Sequence, residues 1–132
     1  LFLDWLLLWR LVEQSSSAFY KLLQAFSSPK MALMASSVQW QQAGVSAKIV
    51  ASYSQWQAGT NTLIEQDIAQ ALKTIEQLHI AVISLDDSRY PPLLKEIADA
   101  PPLLFCRGEV SHLLWPQIAI VGTRKRHKVV LN

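Results

Sequence analysis

The stretch TIEQLHIAVISLDD, residues 74–87, decides the fold, because the hydrophobic period changes inside it. Up to Leu78 the apolar residues recur at helical spacing: Ile64, Ile68, Ala71, Leu72, Ile75 and Leu78 share one side of a single helix. Past His79 the chain reads Ile80-Ala81-Val82-Ile83-Ser84-Leu85, a short β-branched run bounded by Asp86-Asp87. That is a strand signal. Helices are therefore predicted before this point and strands after it.

Toward the N-terminus the pattern is of short helices separated by caps. Leu3 to Glu13 forms the first, and the Ser15-Ser16-Ser17 run that follows suits a turn or a new N-cap. Phe19, Leu22, Leu23 and Phe26 then make one apolar stripe. Ser28-Pro29 supplies a cap followed by proline at the first helical position, where its missing N–H costs nothing. Ser36 or Ser37 caps the next helix, which ends at Gly44, and Ser46 opens another that ends at Gly59. Thr62 and Glu65 have the spacing of a capping box for the long helix that follows.

Toward the C-terminus, Pro91-Pro92 opens a single-turn helix, LLKEI. Pro101-Pro102 holds the chain extended on its way into a second strand, Leu103-Leu104-Phe105-Cys106. Ile118-Ala119-Ile120-Val121 is a third, apolar on both faces as a central strand of a helix-covered parallel sheet would be. Gly122-Thr123-Arg124 follows directly. Glycine permits close backbone approach, threonine offers a hydroxyl, and arginine a fork suited to phosphate oxygens. A phosphate site and an ordinary strand-ending turn both remain open on these residues alone.

Composition narrows the classes. The chain has 132 residues, 51% hydrophobic and 17% charged, which excludes a disordered chain. Residues 1–123 hold 8 Lys/Arg against 10 Asp/Glu, and Arg124, Lys125, Arg126 and Lys128 raise the net charge to +2. The body is mildly acidic and the excess basicity is local to the end. Cys106 is the only cysteine, so no intramolecular disulfide exists. The opening LFLDWLLLWRLV is apolar but short, and it contains Asp4 and Arg10. It fits neither a spanning helix, which needs ~20 apolar residues, nor a signal peptide. A cytoplasmic location is expected.

Two segments in fixed order carry a family resemblance. Tyr90, Pro91, Leu94, Ile97, Pro101, Leu104, Phe105, Arg107 and Gly108 match a Y-P-x-x-L-x-x-I-x-x-x-P-x-x-L-F-x-R-G pattern. Val121, Gly122, Thr123 and Arg124 match a strand ending V-G-[ST]-R. Together they resemble the DprA (Smf) family of bacterial DNA-processing proteins, and KLLQAFSSPKMALMAS, residues 21–36, resembles the family's helical front.

The resemblance implies a small all-helical, sterile-alpha-motif-like domain over residues 1–78. The first strands of an incomplete Rossmann-like parallel sheet follow over 79–124, and then a divergent basic tail over 125–132. It implies a non-enzymatic protein of natural transformation that binds single-stranded DNA and delivers it to the RecA recombinase. The nucleic-acid-binding residues it points to are Gly122, Thr123 and Arg124, and the basic run that follows adds Lys125 and Arg126 as candidates. No cofactor, metal or membrane partner is expected; a homo-oligomer belongs to an alternative reading of the chain as a self-associating module.

Thr123 stands where the family has serine, which keeps the hydroxyl, and Ser15–Ser17 stand near a usual Pro-Gly-x-Gly turn. After Arg124 the chain reads KRHKVVLN rather than a Tyr-Gly segment and a helix. A truncated form with weak or no activity is expected, from a reading-frame change.

Several residues admit plainer readings. Trp5, Trp9, Trp40 and Trp56 lie on apolar helices and read as core rather than as base-stacking platforms, and Trp115 before Pro116 as a linker anchor. His79, His112 and His127 have no partners at ligand spacing. Asp86-Asp87 reads as a turn, Cys106 as a buried thiol, and the RKRHK run as either a phosphate-neutralising patch or a solvated tail. The alternative function is a helical protein-interaction module that self-associates without binding DNA; an enzyme acting on nucleotides has no acid–base pair near Gly122 to support it.

Overall fold

The first helix explains its own composition. Leu6, Leu8, Trp9, Leu11 and Val12 are all buried, so a helix that is apolar nearly all round becomes the axis of a core. In this computed structural model, which describes residues 2–107, 118–123 and 126–131, α1 (Leu3–Leu11) packs against the helices Pro29–Met34, Ala47–Gln57 and Thr62–Gln77 and against the strand Leu103–Arg107. Each fully buried leucine there contributes about 1.5–3 kcal/mol. No helix among the described residues is long and apolar enough to cross a membrane.

The helices that surround α1 are α2 (Ser16–Phe26), α3 (Pro29–Met34), α4 (Ser37–Ala43), α5 (Ala47–Gln57) and α6 (Thr62–Gln77). Their starts are set by side-chain caps. Ser15, Ser28, Ser36 and Ser46 each accept a hydrogen bond from the backbone N–H three residues on, and Ser36 forms a capping box with Gln39. Helix α6 departs from expectation. Its cap is Asn61, not Thr62: the Asn61 Oδ1 accepts from Ile64 N at 3.2 Å, and its Nδ2 donates to the Ser52 carbonyl at 2.9 Å. Asn61 holds both bonds from the position before the helix, accepting with its Oδ1 and donating with its Nδ2, whereas Thr62 is already the first helical residue.

Helix ends are equally local. Past α1, α5 and α6 the chain turns left-handed at Glu13, Gly59 and His79. The next residue's N–H then reaches back to Trp9, Gln55 and Ile75 respectively. These are Schellman ends, and only Gly59 adopts the left-handed φ without a Cβ penalty.

A short satellite core lies on the other side of the strands. In β1 (Ala81–Ser84) and β2 (Leu103–Arg107), Val82 and Leu103 join the helical core, whereas Ile83, Leu104 and Cys106 face Tyr90 and Leu94. The chain between these strands, including α7 (Pro92–Lys95), therefore covers one face and the helices the other. Alternation along each strand produces this division.

β3 (Ile118–Thr123) and β4 (Arg126–Leu131) complete a four-stranded sheet in the order β1-β2-β4-β3. Helices α1 to α6 all precede the first strand. The expected parallel, Rossmann-like arrangement does not appear in these strands: β1 with β2 and β3 with β4 are antiparallel, and only β2 with β4 is parallel. A parallel neighbour needs a crossover of a dozen or more residues. Here β4 resumes at Arg126, with only positions 124 and 125 after β3. Adjacent strands that close in sequence pair as a hairpin. The stretch expected as a divergent tail thus contains a strand, and its Val129-Val130-Leu131 run is the β-forming signal that accounts for it.

Candidate nucleic-acid interface

The segment 84–107 consists largely of its own framework. The Asp87 Oδ1 accepts from the Arg89 backbone N–H at 2.9 Å, an Asx turn, and the Arg89 guanidinium returns to the same carboxylate at 2.7 Å. The hydrogen bond from Arg89 holds the Asp87 carboxyl below the usual carboxylate range, against the opposing effect of burial. The turn reading of Asp86-Asp87 is the one the geometry supports; among the described residues no group of three or more His, Cys, Asp or Glu could hold a metal.

Of the residues that carry the motif, Tyr90, Leu94 and Leu104 are buried and Tyr90 donates to the Pro101 carbonyl at 2.7 Å. Their identity is therefore a matter of packing. Cys106 is fully buried, and burial pushes its thiol up to about 11, with the nearby Arg89 pulling weakly the other way. A thiol so placed stays protonated at neutral pH and is a poor nucleophile. Trp9 and Trp40 are buried, and Trp5 and Trp56 pack against the same core, so these four rings do not present stacking platforms. Trp115, His112 and Gly108 lie outside the described residues.

The expected binding residues fall at the β3–β4 connection. Gly122 and Thr123 close β3, opposite His127 and Arg126 of β4, while Arg124 and Lys125 lie outside the described residues. The next described element after β3 is a strand, so among the described residues no helix N-terminus follows Thr123. The charge available to an anion is then that of the basic side chains, without the aligned amides of a helix end.

Arg107 belongs to a different place. It closes β2 opposite Val130, near the end of β4 where Leu131 pairs with Ile118. Gly122, Thr123 and Arg126 stand at the opposite end of that ladder, so Arg107 and Arg126 occupy opposite ends of β4's pairing. Elsewhere the cations serve the fold: Arg10 pairs with Asp67, Lys48 with Glu13, Lys21 donates to the Gly44 carbonyl, and Lys95 sits 5.8 Å over the Tyr90 ring.

Sequence reasoning missed Asn61 and Tyr20, and it places Tyr53 in the helix opened by Ser46 without its hydroxyl's partner. Tyr53 stacks on Trp40 with ring centroids 3.6 Å apart and donates to the Ala35 carbonyl at 2.6 Å. Tyr20 donates to the Ala100 carbonyl at 2.6 Å, eighty residues away. Aromatic periodicity gives the ring's place but not the hydroxyl's partner. The only signal for Tyr20 was its position on the edge of an apolar stripe.

Residues 81–131 match the family described as DNA recombination-mediator protein A. One curated relative, the DNA processing protein DprA of Streptococcus pneumoniae (strain ATCC BAA-255 / R6), is 49% identical over 41 residues. That alignment covers 31% of this chain and 14% of the relative. The chain therefore spans a small part of the relative it matches. No solved structure gives a significant match.

Proposed function

From a chain whose residues 81–131 match the DNA recombination-mediator protein A family, we propose a DNA-processing protein that binds single-stranded DNA during recombination and natural transformation. It acts without catalysis, in the cytoplasm, and hands the strand to the RecA recombinase. The family match, which runs through the basic stretch at Arg124, Lys125 and Arg126, is the observation that carries this reading. Thr123 adds a hydroxyl and Gly122 a close approach of backbone.

With a strand rather than a helix next in the chain, binding draws on side-chain charge, which is released by salt. Fluorescence anisotropy of a labelled oligothymidine with the full chain, over a salt series, tests this. Three phosphate contacts on a single strand give a log–log salt slope of about −2. Replacing Arg124, Lys125 and Arg126 together with Gln flattens the slope by that amount. Tight binding that is indifferent to salt, or an unchanged slope in the triple variant, would refute the assignment.

A second reading has its own observation. Met31, Met34 and Val38 are 53%, 70% and 58% exposed within eight residues of chain across α3 and α4. Exposed apolar residues so clustered favour self-association of the helical part. Sedimentation of the full chain and of Met34→Lys separates the two: a concentration-dependent oligomer that the variant abolishes supports it, and a monomer in both disposes of it.

A further inference from the structure

Three consecutive carbonyls between α7 and β2 are each bonded, and each to a different part of the molecule. The Tyr20 phenol on α2 donates to the Ala100 carbonyl at 2.6 Å. The Tyr90 phenol donates to the Pro101 carbonyl at 2.7 Å, and the Leu85 N–H to the Pro102 carbonyl at 2.9 Å. The two prolines explain why these oxygens are available. Each forces the residue before it out of the helical region, so the carbonyls of Ala100 and Pro101 turn outward instead of closing a helical turn.

The bonds are not equivalent. Tyr90 and Leu85 belong to the strand-bearing half, and their bonds close the 85–102 segment on itself. Tyr20 belongs to the helical half, and its bond alone among these three crosses between the halves. Ala100 is buried, so its carbonyl has little access to replacement water. Tyr20 also stands between two open clefts. One, of about 570 Å³, is lined by Ser16, Lys21, Gln24 and Asp99 among others; the second, of about 360 Å³, includes Leu85, Lys95 and Ile97. Tyr20 and Ala98 line both.

We propose that Tyr20 is a latch: its hydroxyl fastens the 95–100 loop to helix α2, and its release lets that loop swing away and merges the two clefts into one trough. Besides this bond the loop is held by the hydrogen bond from the Ala100 N–H to the Ile97 carbonyl at 3.1 Å and by Lys95 over the Tyr90 ring. Its own turns are closed by long bonds, Glu96 to Leu93 and Ile97 to Leu94, both at 3.3 Å, and the Leu93 and Ile97 side chains are exposed. The inference is independent of DNA binding.

Amide hydrogen exchange on the full chain, unaltered and as Tyr20→Phe, tests it. The Phe ring keeps the packing and removes only the hydroxyl. Loss of one such bond speeds exchange at Glu96, Ile97 and Ala100 by about 3- to 10-fold. The Trp40 and Tyr53 amides, in the same sample, keep their protection and report that the core is intact. Tyr90→Phe is the comparison: its bond lies within one half, so it loosens the 90–101 closure without freeing Ala100 from α2. Tryptic cleavage after Lys95 gives a second readout and accelerates in Tyr20→Phe alone. Unchanged exchange at all three loop amides would overturn the latch. So would a uniform loss of protection across the chain, because the hydroxyl would then support the whole fold rather than one loop.

Discussion

Replacing Asn61 with Ala is the perturbation that most sharply separates the structure from the sequence pattern. The capping-box spacing points to Thr62, but Thr62 is the first residue of α6 and the bonds are made by Asn61. Asn61→Ala removes the cap on Ile64 N, worth about 1 kcal/mol. It also removes the amide bonds to the Ser52 carbonyl and hydroxyl at 2.9 and 3.0 Å, worth together about 1 kcal/mol net because the carbonyl lies within helix α5. The expected loss is about 2 kcal/mol, or a fall in Tm on the order of 8 °C for a chain of this size. Thr62→Ala removes an exposed side chain at a position that favours alanine, so its change stays within about 0.5 kcal/mol. Urea denaturation of both variants, followed by circular dichroism, measures the difference. If Thr62→Ala proves the costlier of the two, the cap assignment is wrong.

Cys106 should resist a thiol reagent such as Ellman's at mildly alkaline pH in the folded chain and react fully in urea; ready reaction in native buffer would contradict its burial. Because its folded pKa lies above the unfolded one, the stability it contributes is fully present below about pH 9 and is lost as pH rises through about 11. Cys106→Ala should show a shallower alkaline fall in Tm. Asp87 runs the other way. Its folded pKa is depressed, so its contribution is present above the unfolded carboxylate pKa and disappears as pH falls through the folded value. Asp87→Asn should therefore be less stable than the parent at neutral pH and indistinguishable from it near about pH 2; an equal gap at both would rule out the pairing. Tyr53→Phe should cost only about 1 kcal/mol, since the Ala35 carbonyl keeps Gln57 and the Ala32 carbonyl keeps Trp40 as donors. A loss of several kcal/mol in thermal melts would show that these carbonyls depend on the phenol.

What the sequence made legible were the features carried by local rules. Four serine caps, the closing glycines 44 and 59, the change of period at His79 and the single-turn helix after Pro91 follow from short-range preferences, and they stand. The strand positions were legible for the same reason, but their directions were not. Val121 reads as a central strand whether its neighbour runs with it or against it, and only the distance to the next strand decides. That strand lies in RHKVVL, whose basic start masked its β-branched end. The candidate binding residues were legible as chemistry, a hydroxyl and a run of cations after a glycine, whereas the separation of Gly122, Thr123 and Arg126 from Arg107 depends on the pairing order of the sheet. Tyr20 and Asn61 bond to backbone atoms, and a backbone atom leaves no trace in the identity of its residue.

Helix α6 is the longest in the described residues, and not one of its residues is fully buried. Its apolar side leans on the core through half-covered Ile64, Ile68, Leu72 and Ile75, with Asn61 and the Arg10–Asp67 pair as its polar moorings. An element bound this way can peel off while α1 and its inner neighbours stay assembled, at a cost well under that of global unfolding. The chain would then pass through a partly frayed species under mild heat, and its melting curve would broaden ahead of the main transition.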